Sequence, residues 1–230
     1  MTDQLLSDVK VLDLTHYIAG PYCTKLLADY GADLIKIERP GKGDPARQIG
    51  PFLGDDPHPE KSALFLHLNT NKRSLTLNLK SRRGVMIFKE LAHQVDIVVE
   101  NFRPGVMDDF GLSYEELEKI NPTLVMTSIS NFGQTGPYRD FPASEIVLYG
   151  MGGSMLSSGL PDREPVKLAR NVGQYQTGVM AAVATMTAFY GANYRGIGQH
   201  IDMAIFETQS GSIDRRQTAL VNYAYTGYTS

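Results

Sequence analysis

Lys10-Val-Leu-Asp-Leu-Thr15, a polar turn closing on Gly20-Pro21, Tyr22-Cys-Thr-Lys-Leu-Leu-Ala-Asp-Tyr30, then Gly31 and Asp33-Leu-Ile-Lys-Ile-Glu38 together decide the fold. The first segment is a short apolar strand, the second carries apolar residues at helical spacing, and the third is a strand again. Gly31 stops the helix, and Pro21 suits a helix start. A strand, helix and strand packed into forty residues form a parallel, right-handed unit, the opening of a Rossmann-like sheet.

Downstream, the same alternation continues. Pro40 to Glu60 is a long Gly-, Pro- and Asp-rich loop, of the kind that more often carries function than not. Phe65–Leu68 and Ser74–Leu79 read as strands, separated by the turn Asn69-Thr-Asn-Lys72-Arg73. Arg83–Gln94 is an amphipathic helix and Asp96–Glu100 a buried strand. Ser113 and Glu116 stand at capping-box spacing for a helix to Ile120. Leu124–Ser130 is a strand, Ser144–Leu156 and Thr177–Asn193 are helices, His200–Ile205 a strand and Phe206–Tyr225 a last helix. The expected fold is α/β with a mainly parallel sheet and flanking helices.

Composition sets outer bounds. The 230 residues are 42% hydrophobic and 20% charged, with a net charge of −3. Such a chain buries a sizeable core and has no global attraction for nucleic acid or anionic lipid. The single cysteine, Cys23, excludes an intrachain disulfide and a Cys-based zinc site, and sits in an apolar pattern as a core thiol. No basic-then-apolar leader follows Met1, and the apolar stretch Val179–Tyr190 is too short to span a bilayer, so a cytoplasmic protein is expected. The histidines are scattered without metal-ligand spacing, so no metal site is expected.

Chemistry concentrates in three loops. Val166-Lys-Leu-Ala-Arg-Asn-Val-Gly-Gln-Tyr-Gln-Thr-Gly178 is a polar turn feeding a long helix of small residues, with Gln174 at its centre. A helix opening leaves backbone N–H groups free for an anion, and a carboxylate there would be a candidate nucleophile. Gln174 is an uncharged amide. Asn101-Phe102-Arg103-Pro104-Gly105 follows the end of a strand, where open α/β sheets place ligands. Asn131-Phe-Gly-Gln-Thr-Gly-Pro137 has two glycines that permit close backbone approach. Arg39, Lys72, Arg73 and Arg103 are each ordinary surface charges taken singly; taken together at strand ends they point to an anionic cofactor. His16 follows the first strand and reads chiefly as a structural histidine, with ligand contact as the alternative.

Five stretches in order and spacing carry a resemblance: Val11-Leu-Asp-Leu-Thr15 with Leu27-Ala-Asp-Tyr-Gly-Ala-Asp-Leu-Ile-Lys-Ile-Glu-Arg-Pro40; Asn69–Lys80; Glu100–Gly105; Asn131–Pro137; and Arg195-Gly-Ile-Gly-Gln-His-Ile-Asp202. The chain resembles the class III CoA-transferases, the family of formyl-CoA transferase, carnitine CoA-transferase and related acyl-CoA racemases. The resemblance implies a Rossmann-like large domain, a smaller second domain, and two ring-like chains interlinked in a dimer. Family members are longer than this chain. Residues 1–205 would therefore be the CoA-binding part of the large domain, and 206–230 a helix leading toward a linker. The chain is expected to be a fragment or to be completed by another polypeptide.

Carried over by position, the implied CoA contacts are Ala19, Arg39, Leu77, Lys80, Asn101, Phe102 and Arg103. Arg39 and Lys80 would meet CoA phosphates, while Asn101 and Phe102 would hold the adenine or pantetheine portion. Ile18 replaces a polar glutamine, and Asp109 and Pro142 replace basic contacts. Gln174 falls where the family has its nucleophilic aspartate. In the family mechanism that carboxylate attacks the acyl-CoA thioester, giving a mixed anhydride and CoA thiolate. It then becomes a CoA thioester itself, which the acceptor acid displaces. An amide cannot do this, because its nitrogen lone pair is delocalised and it carries no charge to share. Ser144 stands at the racemases' histidine position, so racemisation is not expected. Three readings follow. The chain is the aspartate-lacking subunit of a two-subunit CoA-transferase such as succinyl-CoA:benzylsuccinate CoA-transferase, working on acyl-CoA and a carboxylic acid with a related catalytic subunit. Alternatively it is a silent acyl-CoA-binding or scaffolding protein, or it uses another carboxylate, for which Glu145 is the candidate.

Overall fold

The computed structural model describes residues 4–160, 162–211 and 221–228. Strands β1 (Lys10–Asp13), β2 (Asp33–Glu38), β3 (Arg73–Thr76), β4 (Ile97–Glu100), β5 (Val125–Ser130) and β6 (Gln199–Ala204) lie in the order β3-β2-β1-β4-β5-β6. Every neighbouring pair is parallel. The chain builds outward from β1 to β3, then returns to the other side of β1 to lay down β4. The connections leaving the carboxyl ends of β1 and β4 therefore diverge, which opens a crevice at that edge of the sheet.

Both faces are covered. On one, α1 (Ala19–Asp29), α6 (Glu145–Met151), α7 (Val172–Arg195) and α8 (Ile205–Gly211) bury Val11, Cys23, Leu27, Ile97, Val99, Val125, Leu148 and Ala181. On the other, α3 (Arg82–Ala92), α4 (Val106–Asp109) and α5 (Tyr114–Glu118) cover Leu12, Leu14, Val98 and Met126 with Phe88, Met107 and Leu117. Strand residues therefore alternate between two cores, as expected for a sheet buried on both sides. The small residues of α7 bring it close to α1: a Cβ on Gly178 would lie 2.7 Å from the Ala19 carbonyl oxygen. The edge-on contact of Tyr22 with Tyr175, at 4.9 Å between centroids, locks the start of α7 to α1.

Several local expectations are corrected. Phe65–Leu68 is not a strand but part of α2 (Ala63–Leu68), because the Ser62 hydroxyl accepts the Phe65 N–H at 3.2 Å and starts a helix. A short apolar run has no period with which to decide between the two. Ser113 precedes α5 without making the capping-box bond, and Glu116 pairs with Lys119 instead. The helix expected over Ser144–Leu156 breaks after Met151, where Gly153 takes φ 81°, and resumes as a 3-10 turn over Ser154–Ser157. The Thr177–Asn193 helix starts earlier, at Val172, so Gln174 lies inside its first turn rather than in the preceding turn. The helix expected over Phe206–Tyr225 coincides with α8 as far as Gly211; 212–220 lie outside the described residues, and 221–226 are helical.

Candidate functional site

At the crevice, the loop from β1 to α1 forms one wall, and it stands on a buried charge network. Asp13, at the end of β1, accepts from the Thr15 N–H at 2.8 Å and the Thr24 hydroxyl at 2.7 Å, and pairs with Lys72 Nζ at 2.9 Å. Burial alone would raise its carboxyl, but Lys36, Lys72 and the two threonine hydroxyls outweigh that and hold it well below the usual carboxylate range. Lys36 donates to the Thr15 carbonyl at 2.7 Å and pairs with Asp44 at 3.0 Å. Asp44 in turn accepts the Tyr17 N–H at 3.1 Å. Tyr17 adopts φ 64°, a conformation costing on the order of 1 kcal/mol for a residue with a Cβ, and this network holds it there. The chain is thereby turned so that Tyr17, Ile18 and Ala19 face the crevice.

The loop after β4 forms the second wall and is clamped to the first. The Asn101 side chain accepts the His16 N–H and donates to the His16 carbonyl, both at 2.8 Å. The amide assigned by resemblance to the ligand is thus engaged in joining two loops. Phe102 lies against His16 at 5.5 Å and edge-on to Phe110 at 6.3 Å. Burial pulls the His16 imidazole below its ordinary value.

A third wall comes from Arg139 to Glu145 and from the first turn of α7. The cleft enclosed by the three has a volume of about 1070 Å³ and is lined by Ala19, Asn101, Phe102, Arg103, Arg139, Glu145 and Gln174 among others. Glu145 Oε1 accepts the Gly173 N–H at 2.8 Å, supplying the helix N-terminus with the anion that its own first turn lacks. Its Oε2 is buried with no hydrogen-bond partner among the described residues. A Cβ at Gly173 would lie 2.9 Å from the Gln209 amide, so a larger residue there would require that side chain to move. Gln174 is partly buried, directly beyond that contact.

A second cavity of about 310 Å³ shares Phe102 with the cleft and is lined by His16, Arg39, Leu77, Lys80 and Phe110. Every position assigned by resemblance to CoA therefore lines one of two adjoining cavities, and Phe102 stands between them. Arg39, Lys80 and Arg103 are exposed cations at the rims, and Leu77 is buried.

Two cations expected near an anionic ligand lie elsewhere. Lys72 is buried against Asp13, Thr24, Asn69 and the Pro21 carbonyl, and burial pulls its ammonium down to about 8 against the attraction of Asp13. Arg73 begins β3, at the opposite edge of the parallel sheet, and pairs there with Asp33. Conversely, sequence reasoning passed over Arg139, which reaches over Gly105 and lines the cleft. Its signal was its place just past the glycine loop that follows β5. Cys23 is buried, and burial pushes its thiol up to about 12. Asp109 is exposed, whereas Ile18, Pro142 and Ser144 line the cleft.

The family model described as CoA-transferase family III matches residues 6–228. The succinyl-CoA–D-citramalate CoA-transferase of Chloroflexus aurantiacus is 39% identical over 223 residues, covering 97% of this chain and 54% of that protein. The succinyl-CoA–L-malate CoA-transferase beta subunit of the same organism is 38% identical over 205 residues, covering 88% and 49%. Among solved structures, a CAIB/BAIF family protein from Brucella suis superposes with a TM-score of 0.89 at 36% identity, covering all of this chain and 60% of that one. The chain spans about half the length of the curated relatives it matches.

Proposed function

This chain belongs to CoA-transferase family III, and from that premise we propose that it is an acyl-CoA-binding CoA-transferase subunit whose catalytic carboxylate is supplied by a related partner chain. The observation that carries this is the cleft itself. Gln174, at the family's nucleophile position, lines it together with Ala19, Asn101, Phe102 and Arg103. CoA would lie with its phosphates toward Arg39 and Lys80, pass Phe102, and present its thioester to the cleft. There Gln174 can donate a hydrogen bond to a carbonyl or carboxylate oxygen but cannot attack one.

Glu145 is disfavoured as a substitute nucleophile. One of its oxygens is committed to the Gly173 N–H, and a carboxylate stabilised at a helix N-terminus is a weaker electron-pair donor. Its anchored geometry suits holding the first turn of α7 in place. A partner is supported by the outer stripe of α7, where Val172, Val179, Val183, Tyr190 and Tyr194 recur at helical spacing and are exposed. The occupant proposed for this stripe is a second, related family chain; the malate-acting relative is itself named as a beta subunit.

The test is calorimetry and activity on the same preparation. The chain alone should bind acyl-CoA in competition with CoA yet transfer nothing, and native purification should bring down a second family chain that restores transfer. A homogeneous preparation of this chain that transfers CoA by itself overturns the subunit reading. Binding without any active partner favours the silent binding protein.

A further inference from the structure

Glu100 is the last residue of β4 and is 3% exposed. It stands in a row across the sheet: the register pairs it with Ser128 of β5, and Ser128 with Asp202 of β6. Its Oε2 accepts the Phe102 N–H at 2.7 Å, and Ser128 stands beside it in register. Ser128 Oγ lies 2.9 Å from His200 Nε2, and the His200 ring stacks on Tyr114 of α5 at 5.3 Å. The Glu100 carboxyl thus holds the backbone of the loop that separates the two cavities.

We propose that Glu100 is a positioning residue for the ligand loop, and that its ionised carboxylate fixes Phe102 in the wall between the cavities while the protonated acid releases it. The inference rests on the proposed acyl-CoA reading for its ligand, but its geometry stands on the Phe102 N–H alone. An ionised carboxylate makes a charge-assisted bond to that N–H, and a carboxylic acid a weaker one.

The surroundings bring this change near neutrality. Burial pushes the Glu100 carboxyl up to about 7, against the lowering effect of Ser128 and the Phe102 N–H. The charged groups facing it, Asp108 of α4 and Asp202 of β6, are both carboxylates and raise it further. On the β1 side its neighbour is the apolar Leu14, whose N–H bonds the Val99 carbonyl. Among the described residues no lysine or arginine pairs with it. His200, beyond Ser128, faces Asp202, Glu115 and Asp108, and burial keeps it below its ordinary value.

The test follows the affinity for 3′-dephospho-CoA from pH 6.0 to 8.5 by calorimetry, a probe whose phosphates do not titrate in that range. Affinity should weaken roughly fivefold on going down through pH 7, the difference between a charged and a neutral acceptor. Glu100→Gln should bind at the low-pH affinity throughout, with a flat profile, while retaining His16 as the other titratable neighbour of Phe102. Ser128→Ala, which removes a group that lowers the acid, should move the midpoint upward. The Phe102 amide resonance should titrate with a midpoint near 7 in the wild type and not in Glu100→Gln. A flat Phe102 amide, or a Ser128→Ala midpoint that stays put, overturns the inference. A protein that binds no CoA at any pH but whose Phe102 amide titrates as stated leaves Glu100's role standing and fails the acyl-CoA reading instead.

Discussion

Asp13→Asn tests the foundation of the cleft. The side chain is fully buried, and its Oδ2 lies 2.9 Å from Lys72 Nζ and 3.9 Å from Lys36 Nζ. Asparagine keeps the shape but removes the charge, and it turns an NH₂ toward atoms that Thr24 and Lys72 now fill with donors. Removing one partner of a buried pair costs about 3–5 kcal/mol. Lys72 can shed its proton in the variant, because burial already pulls it to about 8, and this brings the loss to the lower end, about 3 kcal/mol. For a domain of this size that is a fall in Tm of roughly 6–12 °C. Thermal and urea unfolding at pH 7 read it directly. The sign with pH is also set. The folded carboxyl is depressed, so its contribution is complete above the unfolded value of about 4 and is lost as pH falls below it. The gap between wild type and variant should therefore narrow on acidification below about pH 4. A variant within about 1 kcal/mol of wild type at pH 7 refutes the network's role.

Two other outcomes depend on separate contacts. Gly178→Ala places a Cβ 2.7 Å from the Ala19 carbonyl and 3.1 Å from Tyr22 Cβ, so it should destabilise by about 1–3 kcal/mol and weaken CoA binding by displacing Ala19; unchanged melting and affinity would show that α1 and α7 are not so closely set. Cys23, buried and pushed up to about 12, should resist thiol reagents in native protein and react only on unfolding, and rapid labelling under native conditions would contradict its place in the core.

The sheet was legible because its strands are short apolar runs separated by helical periods, and the spacing from Lys10 to Glu38 alone reveals the parallel unit. What escaped was whatever depends on partners far along the chain. Nothing near Gln174 says that α7 begins at Val172, since the carboxylate that caps it belongs to Glu145, 28 residues earlier. Lys72 looks like a free cation beside Arg73 until the fold brings Asp13, 59 residues away, against it. Arg73 is a strand-end residue, but it begins β3 and so lies at the end of the parallel sheet without a ligand crevice. The resemblance placed Arg39, Leu77, Lys80 and the Asn101–Arg103 loop around two adjoining cavities, while Asn101 proved to be occupied in clamping the loop of His16.

The central claim is that this chain shapes an acyl-CoA site and does not attack in it. Its most direct measurement is peptide mapping of covalent adducts after acyl-CoA is added to the native assembly and quenched with hydroxylamine or borohydride. Neither Gln174 nor Glu145 should be labelled in the wild type, whereas Gln174→Asp should acquire an adduct at position 174. A wild-type adduct on Glu145, or a folded Gln174→Asp variant that binds CoA and never acquires one, would contradict the account.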